Sequence, residues 1–110
     1  MTKAKEMARL GQISALILDV KLAALRAAAA KRAQSLELLE NLNKPAALTD
    51  LSPVAAHQAE LRYQHWADAR RAEVNLLLAR QTADMHLARD AAGQAFGKDQ
   101  ALRGVSAKLR

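Results

Sequence analysis

The sequence of 110 residues contains no cysteine, two prolines, four glycines and only three aromatic residues. The lack of cysteine excludes disulfides, thiolate zinc sites and cysteine nucleophiles. With β-branched and aromatic residues this scarce, sandwiches, barrels and doubly wound α/β domains are excluded as well. What the chain does contain is 26 alanines and 18 leucines, a composition that is typical of α-helices.

A chain of this length forms at most one small domain, so a deep catalytic cavity in a single copy is not expected. No phosphate-binding loop, dinucleotide-binding glycine pattern or nucleophile elbow is present. The carboxylates and histidines are interpreted as solvated charges and exposed imidazoles, although His57 and His65 lie two turns apart with Glu60 between them. We therefore expect no enzymatic activity, no cofactor, no metal and no small-molecule substrate.

The formal net charge of +6 raises the possibility of nucleic-acid binding. Acidic residues are nevertheless mixed in throughout, and no block of five like charges occurs. Basic residues of the second half recur every nine positions, which is 2.5 helical turns, so successive ones point to opposite sides. They are Arg62, Arg71, Arg80, Arg89 and Lys98. The distribution of charge therefore argues against nucleic-acid binding, which is the weakest of the functional hypotheses considered below.

Near the N-terminus, basic residues precede an apolar run over residues 13–18, which is ended by Asp19 and Lys21. The run is too short for the core of a signal peptide or for a membrane span of about 20 residues. The sequence predicts a cytoplasmic protein without a membrane span.

Two prolines divide the chain into two helical segments. Pro45 forces the preceding residue out of the α region, whereas Ser52 is a good N-cap and Pro53 fits the first helical turn. We expect a single domain over 1–110, with helices over about 3–43 and 53–102, a loop over about 44–52 and a frayed C-terminal tail. The predicted fold is all-α: two long helices forming an antiparallel coiled-coil hairpin.

Apolar residues at steps of three and four support this prediction. In the first helix they are Ala15, Leu18, Leu22, Leu25, Ala29, Leu36 and Leu39, interrupted by Arg32. In the second helix they are Val74, Leu78, Met85, Ala88, Ala92 and Ala95, interrupted by Gln81.

The register of the two helices is predicted from the loop. A turn centred near Leu48 makes the numbers of facing residues add to about 96, which places Leu22 near Val74 and Leu18 near Leu78. Tyr63 and Trp66 then face the alanines 27–30 and 33, where bulky and small side chains interdigitate, although the two aromatics also suit a recognition patch. Residues 94–110, with Phe96, are expected to extend beyond the first helix and to lack a partner from it.

The first helix also carries more apolar surface than one partner covers. Ile13, Ile17, Val20 and Ala24 form a second stripe beside the leucines of the first. A wide apolar face of this kind predicts self-association or docking into another protein. The Gly93–Gly97 spacing allows either close approach of a partner helix or fraying.

A basic first helix rich in alanine and leucine, a short turn with proline, and a longer second helix with Ala-Glu-Leu-Arg-Tyr-Gln-His-Trp at 59–66 resemble a known family. It is that of the FliJ/YscO-like stalk proteins of flagellar and type III secretion export. The stretches Asn-Leu-Leu-Leu-Ala-Arg at 75–80 and Ala-Ala-Gly-Gln-Ala-Phe-Gly at 91–97 are similar to its short alphaproteobacterial members.

The resemblance implies a non-enzymatic hairpin whose paired terminal ends insert into a hexameric export ATPase ring. The other end would reach the export gate or escort chaperones. Carried over to this sequence, the ring-facing end comprises Met7, Leu10, Ile13, Phe96 and Leu102. The gate-facing end lies near Leu39, Leu42, Tyr63 and Trp66.

The sequence thus leads to three hypotheses: an export-ATPase stalk or adaptor, a homodimer that associates through Ile13, Ile17 and Val20, and a small basic nucleic-acid-associated protein.

Overall fold

The computed structural model describes residues 2–44 and 50–109, and in these ranges it consists of two α-helices, α1 (Thr2–Leu42) and α2 (Pro53–Lys108). The predicted all-α fold, two long helices forming an antiparallel coiled-coil hairpin, is confirmed. Contacts divide the chain into two units. Unit 1 is formed by Met1–Ala30 and Ala83–Arg110, and unit 2 by Lys31–Thr82.

The helix boundaries follow from local backbone and side-chain hydrogen bonds. α1 closes where the Asn43 amide donates to the carbonyls of Leu39 at 3.2 Å and Glu40 at 3.1 Å. At the start of α2, the Ser52 hydroxyl accepts a hydrogen bond from the Ala55 amide at 3.3 Å, so the predicted N-cap is confirmed. Pro45 and Leu48, on which the expected stop and turn depended, lie outside the described residues.

α2 continues to Lys108, six residues beyond the predicted end near Leu102. It passes through Gly97 and Gly104 without a break. A glycine inside a helix costs about 1 kcal/mol relative to alanine. The burial of Asp99 and the partial burial of Leu102 and Ser106 show that the last turns of α2 pack against other parts of unit 1, which offsets this cost.

In unit 1, the last turns of α2 lie against the first turns of α1. The Ser14 hydroxyl donates to Oδ1 of Asp99 at 3.1 Å, and both residues are buried. Ala92 and Ala95 are buried on the same side of α2. The residue numbers of the Ser14–Asp99 pair add to 113, and this sum describes the register of the two helices in unit 1.

In unit 2, the end of α1 packs against the first half of α2. Buried Leu42, Ala67 and Val74 form a cluster against which Leu39 and Tyr63 pack. Two contacts between side chains join the middle parts of the helices: Arg32 Nε donates to the Thr82 hydroxyl at 3.0 Å, and the Ser35 hydroxyl donates to Oε1 of Gln81. The paired numbers in this unit add to 114 and 116.

The register predicted from the loop, with facing numbers that add to about 96, is therefore wrong. Each residue of α1 faces a residue of α2 that lies 17 to 20 positions later than predicted. Leu22 is not opposite Val74, and Leu18 is not opposite Leu78. Tyr63 does not face the alanine run, because its hydroxyl donates to the Leu42 carbonyl at 3.3 Å.

Residues 94–110 are likewise not an unpartnered overhang, because Asp99 is bonded to Ser14. The extra length of α2 lies instead at its start. Arg71 donates to the Leu42 carbonyl at 3.3 Å and to the Asn43 side chain at 3.0 Å, so the turns before Arg71 run past the end of α1.

The error has a simple geometric cause. Ten residues separate Leu42 from Pro53. A chain spans at most about 33 Å over ten residues, and this distance equals the rise of about 22 helical residues. A connection of this length therefore permits many registers, and its midpoint does not define where the helices meet.

Candidate protein-binding surface

The predicted stripe of α2 is confirmed as the face that packs inward. Each of its members is buried or half-buried: Val74, Leu78, Gln81, Met85, Ala88, Ala92 and Ala95. The same steps continue through Asp99, Leu102 and Ser106, where the helix packs within unit 1. Extending the spacing of three and four beyond Ala95 would have identified Asp99 as an inward-facing residue.

The residues of α1 that pack inward are not all those of the predicted stripe. Ser14 and Ser35 are buried there, whereas Leu22 and Leu36 are exposed. Other predicted members, such as Leu18, are half-buried. The two serines are small and polar beside large leucines, so hydrophobic periodicity does not identify them, although Ser14 and Ser35 are separated by a multiple of seven positions.

The buried serines are satisfied by polar partners on α2. Asp99 is only 2% exposed, accepts from Ser14 through Oδ1 and accepts from Arg103 Nε at 3.0 Å through Oδ2. Within residues 2–44 and 50–109, no buried side-chain nitrogen or oxygen lacks a hydrogen-bond partner. A buried polar pair of this kind specifies the register of two helices, because any slip leaves a desolvated group unpaired.

The large aliphatic side chains at the start of α1 remain outside the packed face. We call Leu10, Ile13, Ile17 and Val20 the outer seam; their exposed fractions are 47%, 53%, 48% and 65%. They repeat at steps of three and four, which is the spacing of a coiled-coil interface. Exposure of a contiguous apolar face marks a binding surface. The outer seam is the candidate functional surface.

A shallow groove of about 200 Å³ lies between the outer seam and α2 in unit 1. The surface that lines it is almost entirely apolar, although Lys98 is one of the lining residues. The lining residues are Leu10, Ile13, Ser14, Ile17, Ala95, Lys98 and Leu102. A groove of this size accommodates one or two apolar side chains from another helix.

The terminal end of unit 1 contains the other residues that the family resemblance places against a ring. A second cavity of about 310 Å³ is lined by Met7, Gly11, Leu102 and neighbouring residues. Met7 and Leu102 are half-buried. Phe96 is exposed and projects from the edge of α2 opposite to Lys98, since two residues turn the helix by about 200°.

The two aromatic residues of unit 2 have different environments. Tyr63 is half-buried against Leu42, whereas Trp66 is 55% exposed. Their ring centroids are 5.8 Å apart at an angle of 41°. The interpretation of both as core residues is wrong for Trp66, which lies at the surface because it faces away from the Leu42 cluster.

The polar residues weighed as chemical candidates do not converge. His57, His65 and His86 are exposed, as are Glu37, Glu40, Asp84 and Asp90. In the part of the chain that the structure describes, no three histidine, aspartate or glutamate side chains are close enough to share a metal ion. Over the same residues, neither helix contains a stretch long and apolar enough to cross a membrane.

Gly93 and Gly97 are exposed residues of the continuous helix α2. A Cβ atom added at either position meets no atom within 4 Å. Within the described residues, therefore, no other helix approaches Gly93 or Gly97 closely.

Comparison with known proteins gives no relationship: no family model matches the chain, and neither a curated protein nor a solved structure is significantly similar to it.

Proposed function

We propose that the chain is a non-enzymatic coiled-coil stalk or adaptor of a flagellar or type III protein-export ATPase, acting in the cytoplasm. The observation that carries the proposal is the apolar groove of unit 1, located where the first turns of α1 and the last turns of α2 lie together. A stalk that enters a ring with both helix ends needs these ends to be paired. The family resemblance in residues 59–66, 75–80 and 91–97 supplies the identity of the ring.

At this end, Leu10, Ile13 and Leu102 provide the apolar contacts, Met7 lines the neighbouring cavity and Phe96 adds an exposed aromatic ring on α2. In unit 2, at the end that would contact the export gate or chaperones, Leu42 is buried and Leu39 packs on it. Trp66 is therefore the residue left to act as an exposed anchor there, and aromatic anchors of this type dominate protein interfaces.

A pull-down with a purified hexameric export ATPase tests the proposal. We expect retention of the wild-type chain and a loss of binding of about tenfold or more for Leu10→Asp, because a charge would have to be desolvated in the groove. Leu76→Asp is the matched control, since Leu76 is an exposed leucine of unit 2. Absence of wild-type binding, or equal binding by both variants, would contradict the proposal.

A Trp66→Ala variant tests the other end separately. It should retain the ATPase and lose an export-gate component or an export chaperone, measured by the same pull-down. Loss of the ATPase in this variant would show that the assignment of the two ends is wrong.

A further inference from the structure

The outer seam is more apolar than the face that α1 uses inside the hairpin. Continued by Ala24 and Ala27, it reads Leu, Ile, Ile, Val, Ala, Ala at steps of three and four. The inward face over the same turns contains Gly11 and the buried Ser14 beside the half-buried Leu18 and Leu25. A helix that offers its better coiled-coil seam to solvent is incomplete as a single hairpin.

The edge of α2 beside this seam carries two opposite charges in a symmetric arrangement. Asp84 and Lys98 lie seven residues before and after the half-buried Ala91. Heptad spacing places all three on one edge of α2, with the two charges about 21 Å apart. Both side chains are exposed, and the ion pairs found among the described residues involve other groups.

We propose that the outer seam binds a second copy of this chain, arranged antiparallel, with α1 on α1 and α2 on α2. A two-fold axis beside Ala91 places Lys98 of each copy opposite Asp84 of the other. Two complementary ion pairs then flank the apolar contact.

The same axis fits the side-chain sizes on α1. In the register defined by Ser14 and Asp99, Ala91 lies level with residue 22 of α1. Residues equally distant from this level face each other across the axis, so at the centre of the contact Ile17 lies opposite Ala27 and Val20 opposite Ala24, whereas Ile13 and Leu10 lie opposite Lys31 and Gln34 at its edges. Large side chains thus meet small ones, as in closely packed helix interfaces.

An alternative antiparallel alignment is disfavoured by charge. Centring the contact on the largest side chains, near residue 15 of α1, brings Lys98 to the two-fold axis and against Lys98 of the other copy. Like charges in contact oppose association. The alignment on Ala91 avoids this repulsion and retains both ion pairs.

Sedimentation of the full chain without any other protein tests the interface. We expect a wild-type dimer and a monomeric Ile17→Glu variant with an unchanged helical circular dichroism signal. The matched control Leu76→Glu should remain dimeric. A wild-type chain that sediments as a monomer at its highest soluble concentration would overturn the proposal.

Charge reversal tests the orientation. Lys98→Asp and Asp84→Lys should each raise the dimer dissociation constant about tenfold, because each creates two like-charge contacts per dimer. Combining the two substitutions restores opposite charges across the axis and should return the constant to near the wild-type value. An additive loss in the double variant would show that these residues do not face each other.

The natural lack of cysteine permits a direct geometric test. Ala91→Cys places one thiol beside the axis and should form an intermolecular disulfide on mild oxidation, since a disulfide requires Cα atoms within about 7 Å. Gln100→Cys, on the opposite side of α2, is the control and should not cross-link. Equal cross-linking of both variants would contradict the arrangement.

Leu10 and Ile13 belong to both the outer seam and the proposed ring-facing end. The dimer and the ATPase complex therefore compete for one surface. Because the dimer is measured with the free chain, its failure leaves the pull-down result intact, and failure of the pull-down leaves the dimer intact.

Discussion

The side chains that pack α1 against α2 differ between unit 1 and unit 2. Unit 2 buries Leu42 and Val74 around Ala67 and supports them with Tyr63. Unit 1 buries alanines and the Ser14–Asp99 pair, and leaves its isoleucines in solvent. Both units contain a buried serine of α1 bonded to a polar side chain of α2, Ser14 with Asp99 in unit 1 and Ser35 with Gln81 in unit 2. Unit 2 adds buried aliphatic side chains to this contact, whereas unit 1 buries alanines and leaves its large aliphatic side chains exposed.

The largest expected effect concerns Val74, which is fully buried in unit 2. Val74→Asp introduces a charge without a partner and should lower the free energy of unfolding by about 4 kcal/mol, measured by urea denaturation. Leu76→Asp, two residues away on the exposed face, should change it by less than about 0.5 kcal/mol. Similar losses in the two variants would remove the distinction between core and surface in unit 2.

In unit 1, the corresponding test removes the polar alignment. Asp99→Ala leaves the buried Ser14 hydroxyl without its acceptor and should cost about 2 kcal/mol in the same assay. Arg70→Ala removes an exposed ion pair with Glu73 and, as the control, should cost less than about 1 kcal/mol. A neutral Asp99→Ala variant would show that unit 1 does not depend on this pair.

Tyr63 links apolar and polar packing in unit 2. Tyr63→Phe keeps the ring and removes the hydrogen bond to the Leu42 carbonyl, so we expect a loss of about 1 kcal/mol. Thermal unfolding monitored by circular dichroism would detect it. An unchanged midpoint would mean that the ring alone stabilises this part of the unit.

The smallest expected effect has the opposite sign. Gly93→Ala and Gly97→Ala add Cβ atoms in open space and should each raise the free energy of unfolding by about 0.8 kcal/mol. The variants should also leave dimerisation unchanged if the second copy packs on the Ala91 edge. A decrease in stability would indicate that another molecule approaches these glycines closely.

Part of this architecture can be predicted from the sequence, because helix ends and helix faces depend on residues that are close together in the chain. Ser52 and Pro53 start α2 as expected, since capping and fixed φ angles act within one turn. The inward face from Val74 to Ala95 follows from spacing alone. The exposed stripe of Ile13, Ile17 and Val20 was also predicted, because the number of apolar positions exceeds what one helix can cover.

Other features depend on segments far apart in the chain. The sequence alone does not reveal which residue Asp99 faces, because its partner Ser14 lies 85 positions away. It does not reveal that Trp66 is exposed while Tyr63 is packed, because this depends on where α1 ends against α2.

By itself, then, the sequence determined two helices, their boundaries near the loop and a surplus of apolar surface. Helical propensity, capping and periodicity are local properties, and they need no knowledge of the partner helix. Only the tertiary structure decided the register and which seam of α1 faces inward. The ten-residue connection permits many alignments, and the fit of small and polar side chains between distant segments selects one of them.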